Sequence, residues 1–324
     1  MSRRRVGLVL GAGGAAGAAY HAGALLALQQ DTGWDPRTAD VIVGTSIGSI
    51  VASLLRAGLS TDDLAAWASG VEPLPAGAVA RTLIDSISRN PLRVTVPRLA
   101  GLLAGVRQAM PSGRWLRRPS LSMLSTLLPH GVLDAASALE QLGGLHDDWP
   151  VEPLWMPAVR TRDGQRVVFG RDSYPPLGTA IAASCAIPLL LRPVRVGNDH
   201  YIDGATHSPT NADLLVDGGV DVAVVIAPMS GRLDALRRRP DHTVRAVFAR
   251  RLRAETEQLA NAGIDAHVFE PDAPTLDAIG INPIDRTRTV RVVPHAFLAT
   301  GRQIDPLLRT VLRAPVTVPG ARRH

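Results

Sequence analysis

The 324-residue sequence contains no lysine and only one cysteine, Cys185. A single cysteine excludes disulfides within the chain and metal sites built from several thiolates. Aromatic residues make up only 4% of the chain, and no motif with interleaved stacking residues occurs, so we expect no nucleic-acid partner. The histidines and acidic residues show no metal-ligand spacing such as H-E-x-x-H, so we expect neither a metal nor another cofactor.

Long apolar runs are also missing, because no stretch reaches the roughly 20 apolar residues that a membrane-spanning helix needs. The N-terminus does place three arginines before an apolar run, as signal peptides do. Glycines and His21 interrupt that run, however, and cleavage would remove the glycine-rich loop described below. We therefore predict no signal peptide and a cytoplasmic protein in which Cys185 stays reduced.

Arginine supplies the positive charge, and the net charge of +6 favours anionic partners such as phospholipid head groups. Eight arginines lie between Val71 and Pro119 against two acidic residues, with Trp115 and several leucines among them. Prolines break this stretch into short helical patterns, which predicts a basic helical insert at about residues 60–148. Such an insert either rests on an anionic membrane above the active site or only covers the sheet.

Strand and helix patterns alternate along the rest of the chain, and 46% hydrophobic content is ample for a sizeable core. The pattern predicts an α/β protein with a mainly parallel sheet, to which a hairpin at Asp163-Gly164 adds antiparallel strands. We expect one domain over residues 1–324, with the core motifs in 6–230 and a C-terminal extension, 231–324, that joins the same sheet. The predicted strands are 5–10, 40–43, two around 163–164, a pair within 192–204, one within 221–228 and one within 265–271; the predicted helices are 17–30, 47–57, one within 176–188 and 242–261.

A serine lies at the corner between the second strand and its helix, in Gly44-Thr45-Ser46-Ile47-Gly48. This segment fits G-x-S-x-G, the pattern of a nucleophile elbow. A turn sharp enough to push a side chain out of the sheet leaves no room for neighbouring Cβ atoms, which explains the flanking glycines. The helix that follows directs its positive dipole end at the serine oxygen. A helix cap in a tight turn is the alternative interpretation.

A glycine-rich segment between the first strand and the first helix contains Gly11, Gly13, Gly14 and Gly17. In a loop, these residues offer unobstructed backbone N–H groups that can bind an anion. The spacing also approximates a dinucleotide-binding fingerprint, but the second strand should then end in an acidic residue that binds ribose. It ends in Gly44 instead, followed by Thr45 and Ser46.

The third motif is Asp203, which follows a strand and precedes Gly204 in a turn that can leave its carboxylate accessible. A carboxylate close to a serine can accept its proton or orient a base that does. A histidine could also complete a Ser–His–Asp triad, yet His207 is too close to Asp203 along the turn to be an easy third member. The other candidates lie in ordinary helix or strand-end contexts, so we expect them to be structural or exposed: His21, His200, His242, His267 and His295.

Taken in this order and context, the three motifs resemble the patatin-like phospholipase family over about residues 6–230. The resemblance implies a three-layer α/β/α fold and a Ser–Asp dyad that hydrolyses lipid acyl esters without a catalytic histidine. It makes Ser46 the nucleophile and Asp203 the base. The backbone amides of Ala12, Gly13 and Gly14 become the oxyanion hole, and the motif glycines are Gly11, Gly17, Gly44, Gly48 and Gly204.

The sequence departs from the family at Ala12 and Ala16, where the family has glycine and a basic residue. The loss of the cation removes a charge that could help to hold an oxyanion or a head group, whereas the backbone amides remain. Two other enzymes would use the same serine, namely an acyltransferase and a Ser–His–Asp esterase. A non-catalytic dinucleotide- or lipid-binding module would need neither Ser46 nor Asp203, so the intact motifs disfavour it.

Overall fold

The structure is a computed structural model that describes residues 3–70, 139–146, 148–236 and 239–312. The predicted basic insert falls largely on residues 71–138, and its arginines from Arg81 to Arg118 and Trp115 therefore lie outside the described residues.

Eight strands in the described residues form one sheet, in the order β5-β6-β3-β2-β1-β7-β8 with β4 also paired to β3. Five of them, β3, β2, β1, β7 and β8, run parallel, whereas β4 and β6 are antiparallel to β3 and β5 is antiparallel to β6. The predicted mainly parallel sheet with antiparallel additions is confirmed. The strands are β1 (Val6–Leu10), β2 (Val41–Gly44), β3 (Leu154–Arg160), β4 (Arg166–Phe169), β5 (Val194–Val196), β6 (Asp199–Asp203), β7 (Val222–Ile226) and β8 (Asp265–Phe269).

The helices connect these strands and cover both faces of the sheet. In the described ranges they are α1 (Gly14–Thr32), α2 (Ile47–Arg56), α3 (Thr61–Ala68), α4 (Leu177–Ser184), α5 (Leu233–Leu236), α6 (His242–Asn261), α7 (Ala273–Ile279), α8 (Thr289–Gln303) and α9 (Pro306–Leu312). Within those ranges, no helix combines the length and the apolar character that a bilayer crossing requires.

Side chains from the central strands alternate between two buried clusters, one on each face of the sheet. Leu8 and Leu10 of β1 belong to the cluster that includes α1 and α2, whereas Val9 belongs to the cluster that includes Leu252 of α6. Strands that are covered on both faces are hydrophobic at every position, and β1 is buried along its whole length. The arrangement is the three-layer α/β/α architecture that the family resemblance implies.

Helix α1 begins earlier than predicted, at Gly14 rather than Gly17. The expectation that all four glycines lie in a loop is therefore wrong for Gly14 and Gly17, which occupy the first turn of the helix. The reason is local, because Gly13 acts as the N-cap and the Gly17 amide donates to the Gly13 carbonyl at 2.8 Å. The loop itself is reduced to Gly11, Ala12 and Gly13.

The C-terminal third of the chain contributes β8, which pairs with β7 along all five residues. It also contributes α8, which packs closely on α1. A Cβ added to Gly23 of α1 would collide with the Val293 carbonyl oxygen and lie 2.9 Å from the Cβ of Ala296. Glycine at this position therefore permits the close approach of the two helices.

Candidate active site

Ser46 lies between β2 and α2 with a backbone φ of 56° and ψ of −124°. A positive φ is unfavourable for a residue with a side chain, and such strain is common at functional sites. Gly44 and Gly48 on either side of Ser46 must be glycines, because neither position has room for a Cβ atom. A Cβ on Gly48 would overlap the Leu10 carbonyl oxygen, and one on Gly44 would lie 2.6 Å from the Gly48 carbonyl oxygen. The segment therefore makes a sharp strand-to-helix turn at Ser46, the geometry that the G-x-S-x-G pattern predicts.

The Ser46 backbone is held from the neighbouring α4. Its amide donates to the Ser184 hydroxyl at 3.1 Å, and that hydroxyl donates to the Pro157 carbonyl at 2.9 Å. Ser184 is fully buried, and Pro157 belongs to β3. Sequence reasoning missed Ser184, because a small polar residue in a helix of small residues carries no local signal of its partner.

Asp203 is the last residue of β6, and sheet pairing brings it to the elbow. It pairs with Ala158 of β3, which in turn lies beside β2. Its Oδ1 accepts a hydrogen bond from the Ala205 amide at 2.8 Å, and the turn is tight because a Cβ on Gly204 would overlap the Pro157 carbonyl oxygen.

The Asp203 carboxyl is 2% exposed. Burial raises its pKa to about 7, against the opposing effect of hydrogen bonds from the Ser46 side chain and the Ala205 amide. None of the ion pairs among the described residues includes Asp203. A carboxyl group with a pKa near neutrality, hydrogen-bonded to a serine, is well suited to accept a proton and return it.

The backbone amides from Gly11 to Gly14 differ in whether they have a hydrogen-bond acceptor. The amides of Gly11 and Ala12 donate to the carbonyls of Ile226 and Pro209 at 3.0 and 2.8 Å. The amides of Gly13 and Gly14 have no hydrogen-bond partner within the described part of the chain. The predicted Ala12 donor is therefore engaged within the fold, which leaves the Gly13 and Gly14 amides as the candidates for binding an anion.

A model of the patatin-like phospholipase family matches residues 8–216, which is more than half of the chain. The chain belongs to the patatin-like phospholipase family. The resemblance found in the sequence is thus confirmed.

Curated relatives carry the same classification in different words. Uncharacterized NTE family proteins of Mycobacterium tuberculosis and Mycobacterium bovis are 29% identical to this chain over 238 residues. The match covers 71% of this chain and 47% of each relative, so the chain spans about half the length of the curated relatives it matches. The crystal structure of VipD from Legionella pneumophila matches 93% of this chain and 67% of its own, with 14% identity and a TM-score of 0.38.

The two alanines that depart from the family pattern both lie against other parts of the fold. Ala16, which replaces the family's basic residue, donates its amide to the Pro283 carbonyl at 2.9 Å. A Cβ on Gly14, where φ is +59°, would lie 2.7 Å from the same oxygen. Pro283 lies beyond the residues that match the family, and no local feature of the sequence indicates this contact.

Two of the candidate histidines, His207 and His21, are engaged elsewhere. His207 accepts a hydrogen bond from Arg251 of α6 at 2.9 Å, and burial together with Arg166 and Arg251 lowers its pKa to about 4. His21 is fully buried and donates from Nε2 to the Gly11 carbonyl at 2.7 Å, and burial lowers its pKa to about 4. Both rings are therefore neutral at physiological pH.

The single thiol lies beside Ser46 and Asp203. Cys185 is buried with its Sγ 3.7 Å from the Ser49 hydroxyl. Burial and the neighbouring Asp203 carboxyl raise the pKa of the thiol. Since only a thiolate is a strong nucleophile, Cys185 is chemically inert next to Ser46. Across the described ranges, no three potential metal ligands lie together.

Proposed function

We propose that this protein hydrolyses carboxylic ester bonds of lipids through a Ser46–Asp203 dyad. The observation that carries the proposal is the hydrogen bond between the side chain of Ser46, whose backbone φ is positive, and the buried Asp203 carboxyl group, whose pKa lies near 7. Family membership supports ester hydrolysis in general, and the engagement of His207 and His21 with other groups supports a dyad without histidine.

In the proposed reaction, the Ser46 Oγ attacks the ester carbonyl carbon while Asp203 accepts the hydroxyl proton. The amides of Gly13 and Gly14 and the N-terminal end of α2 stabilise the negative charge on the carbonyl oxygen. The bond to the leaving alcohol breaks, and Asp203 returns the proton to that alcohol. Water then attacks the acyl-enzyme, Asp203 accepts the water proton, and release of the fatty acid returns the proton to Ser46.

The decisive test is the Ser46→Ala variant, treated with a fluorophosphonate probe and assayed on p-nitrophenyl esters of graded chain length. Labelling and hydrolysis should both disappear while the melting temperature changes little. Ser53→Ala is the matched control, because Ser53 is a buried serine of α2, the helix that follows Ser46, and its hydroxyl donates to the Ser49 carbonyl. Activity that survives in Ser46→Ala would remove the nucleophile assignment, and product analysis with added alcohols would separate hydrolysis from acyl transfer.

We also propose that the basic stretch from Arg81 to Arg118 draws the protein to anionic membranes, each arginine near the surface contributing about 1 kcal/mol. Sedimentation with anionic liposomes should then weaken with salt and be lost when Arg114, Arg117 and Arg118 become Glu. The control variant replaces three exposed arginines outside the basic stretch with Glu, so that its net charge equals that of the test variant: Arg250, Arg253 and Arg291. If the protein sediments with neither neutral nor anionic vesicles at low salt, the membrane proposal is contradicted. The esterase proposal does not depend on this result.

A further inference from the structure

We propose that Asn211 is a positioning residue that ties the Ser46 elbow to the Asp203 turn. The inference rests on the proposed function and adds to it a residue that touches neither the ester nor the reacting atoms.

Asn211 occupies an unusual backbone conformation in a fully buried position. Its φ of 53° and ψ of 35° are left-handed, and its exposed fraction is 0%. Asparagine tolerates this conformation better than most residues with side chains. Its side-chain amide is cut off from water, so every hydrogen bond it makes is with the protein.

The side-chain nitrogen of Asn211 reaches both dyad motifs. Nδ2 donates to the Thr45 hydroxyl at 3.1 Å, to the Ser208 carbonyl at 2.6 Å and to the Gly204 carbonyl at 3.4 Å. Thr45 immediately precedes Ser46, and Gly204 immediately follows Asp203. One buried NH₂ group therefore links the residue before the nucleophile to the residue after the base.

The orientation of the Asn211 amide is fixed by the chemistry of its partners. Its Oδ1 accepts a hydrogen bond from Arg166 of β4 at 3.1 Å, and the same guanidinium binds both oxygens of Asp213 at 2.8 and 2.6 Å. A guanidinium can only donate and carbonyl oxygens can only accept, so the amide fits in one orientation only.

The backbone on either side of Asn211 is anchored separately. Glu255 of α6 is fully buried and accepts hydrogen bonds from the Thr210 hydroxyl at 2.6 Å and from the Ala212 amide at 3.0 Å. The Thr45 hydroxyl itself donates to the Thr210 carbonyl at 3.4 Å. Thr210 and Ala212 are both hydrogen-bonded to α6, so the position of Asn211 between them is fixed. The Ser46 elbow and the Asp203 turn are both held relative to this position.

Alignment matters here because a displacement of about 1 Å in a catalytic group can cost about a hundredfold in rate. Loss of the Asn211 amide leaves both Ser46 and Asp203 in the chain but removes the bridge that aligns their adjoining residues. We therefore expect a lower kcat with little change in KM, since the bridge does not bind substrate.

Two substitutions at position 211 separate the amide from the backbone conformation. N211G keeps the left-handed backbone and removes the side chain, whereas N211D keeps the shape but places an oxygen against the Ser208 and Gly204 carbonyls. Both should lower kcat at least about tenfold, with KM within about threefold and with a parallel fall in the rate of fluorophosphonate labelling. Thr32→Val is the control, because it removes a buried, hydrogen-bonded hydroxyl at the far end of α1 and should lower thermal stability without changing kcat.

The partner residue provides a second, independent readout. Thr45→Val removes the hydroxyl that Asn211 contacts, and Thr45→Ser retains it, so kcat should fall in the first and recover in the second. The double variant Thr45→Val with N211G should lose less than the product of the two single losses, because both remove the same link. These two Thr45 variants decide the question even if N211G does not fold.

A kcat within about threefold of the native value in both N211G and Thr45→Val would overturn the role of Asn211. Equal kcat losses in Thr45→Val and Thr45→Ser would overturn it as well, because the hydroxyl would then be irrelevant. Failure of the proposed function would give a different result. In that case the fluorophosphonate probe would not label Ser46 even in the native chain.

Discussion

Replacing Asp203 with asparagine should stabilise the folded protein at alkaline pH even though it abolishes activity. The side chain is 2% exposed and no cation balances it within the described part of the chain, so its ionisation in the folded state is costly. Asparagine has nearly the same shape and remains neutral at every pH. It can still accept the hydrogen bond from the Ala205 amide, which the aspartate accepts at 2.8 Å.

The size of the effect follows from the displaced pKa. Burial moves the pKa of Asp203 from 3.8 to about 7, and one pKa unit corresponds to about 1.4 kcal/mol, so the full cost is about 4 kcal/mol. A raised folded-state pKa means that the folded state binds the proton more tightly than the unfolded state. Its stabilising contribution is complete below about pH 4 and is lost as the pH rises through about 7.

The assay is urea unfolding of the native chain and of D203N between pH 5 and pH 8. The advantage of D203N in unfolding free energy should grow by about 2.5 kcal/mol over this range. Asp213→Asn is a control in which the change in unfolding free energy should have the opposite sign. Burial of Asp213 raises its pKa, but the hydrogen bonds and charge of Arg166 prevail and lower it, so this variant should lose stability at neutral pH. A D203N advantage that is constant with pH, or that shrinks as the pH rises, would refute the reasoning.

The remaining predictions concern the chemistry of the site. Hydrolysis by the native chain should rise with pH to a plateau, with a midpoint near 7 in the kcat/KM profile, because Asp203 must be ionised to accept a proton. D203N should lose at least about a hundredfold in kcat/KM, whereas His207→Ala should lose much less; equal losses would indicate a triad. Cys185 should resist alkylation at pH 8 in the folded protein and react after unfolding in urea, as measured by mass spectrometry, because its thiol is buried with a raised pKa.

The parts of the fold that could be predicted are those with a local physical signature. Buried strands such as β1 and β7 are continuous apolar runs, and Asp163-Gly164 supplies the positive φ of 68° at Gly164 that its hairpin turn needs. The helices after β8 were not predicted. The longest of them, α8, contains Pro294, a residue that normally ends a helix.

For the candidate site, the sequence predicts which residues meet but not what supports them. The glycines beside Ser46 could be interpreted from the turn alone, because the need for space is local. Ser184 and Asn211 could not, because each acts through a partner more than 100 residues away, at Ser46 and at Thr45. Hydrogen bonds of this kind depend on the packing of whole elements and leave no periodicity in the chain.

The contact at Pro283 has a consequence for which substitutions this chain can tolerate. The oxygen that receives the Ala16 amide and lies closest to Gly14 belongs to the main chain, not to a side chain. Its position therefore depends on the path of the backbone and only weakly on which side chains the segment carries. Neighbouring side chains such as Ile281, which is 61% exposed, can therefore be replaced without moving that oxygen. Substitutions can thus change the surface of this segment while the carbonyl that holds the start of α1 stays in place.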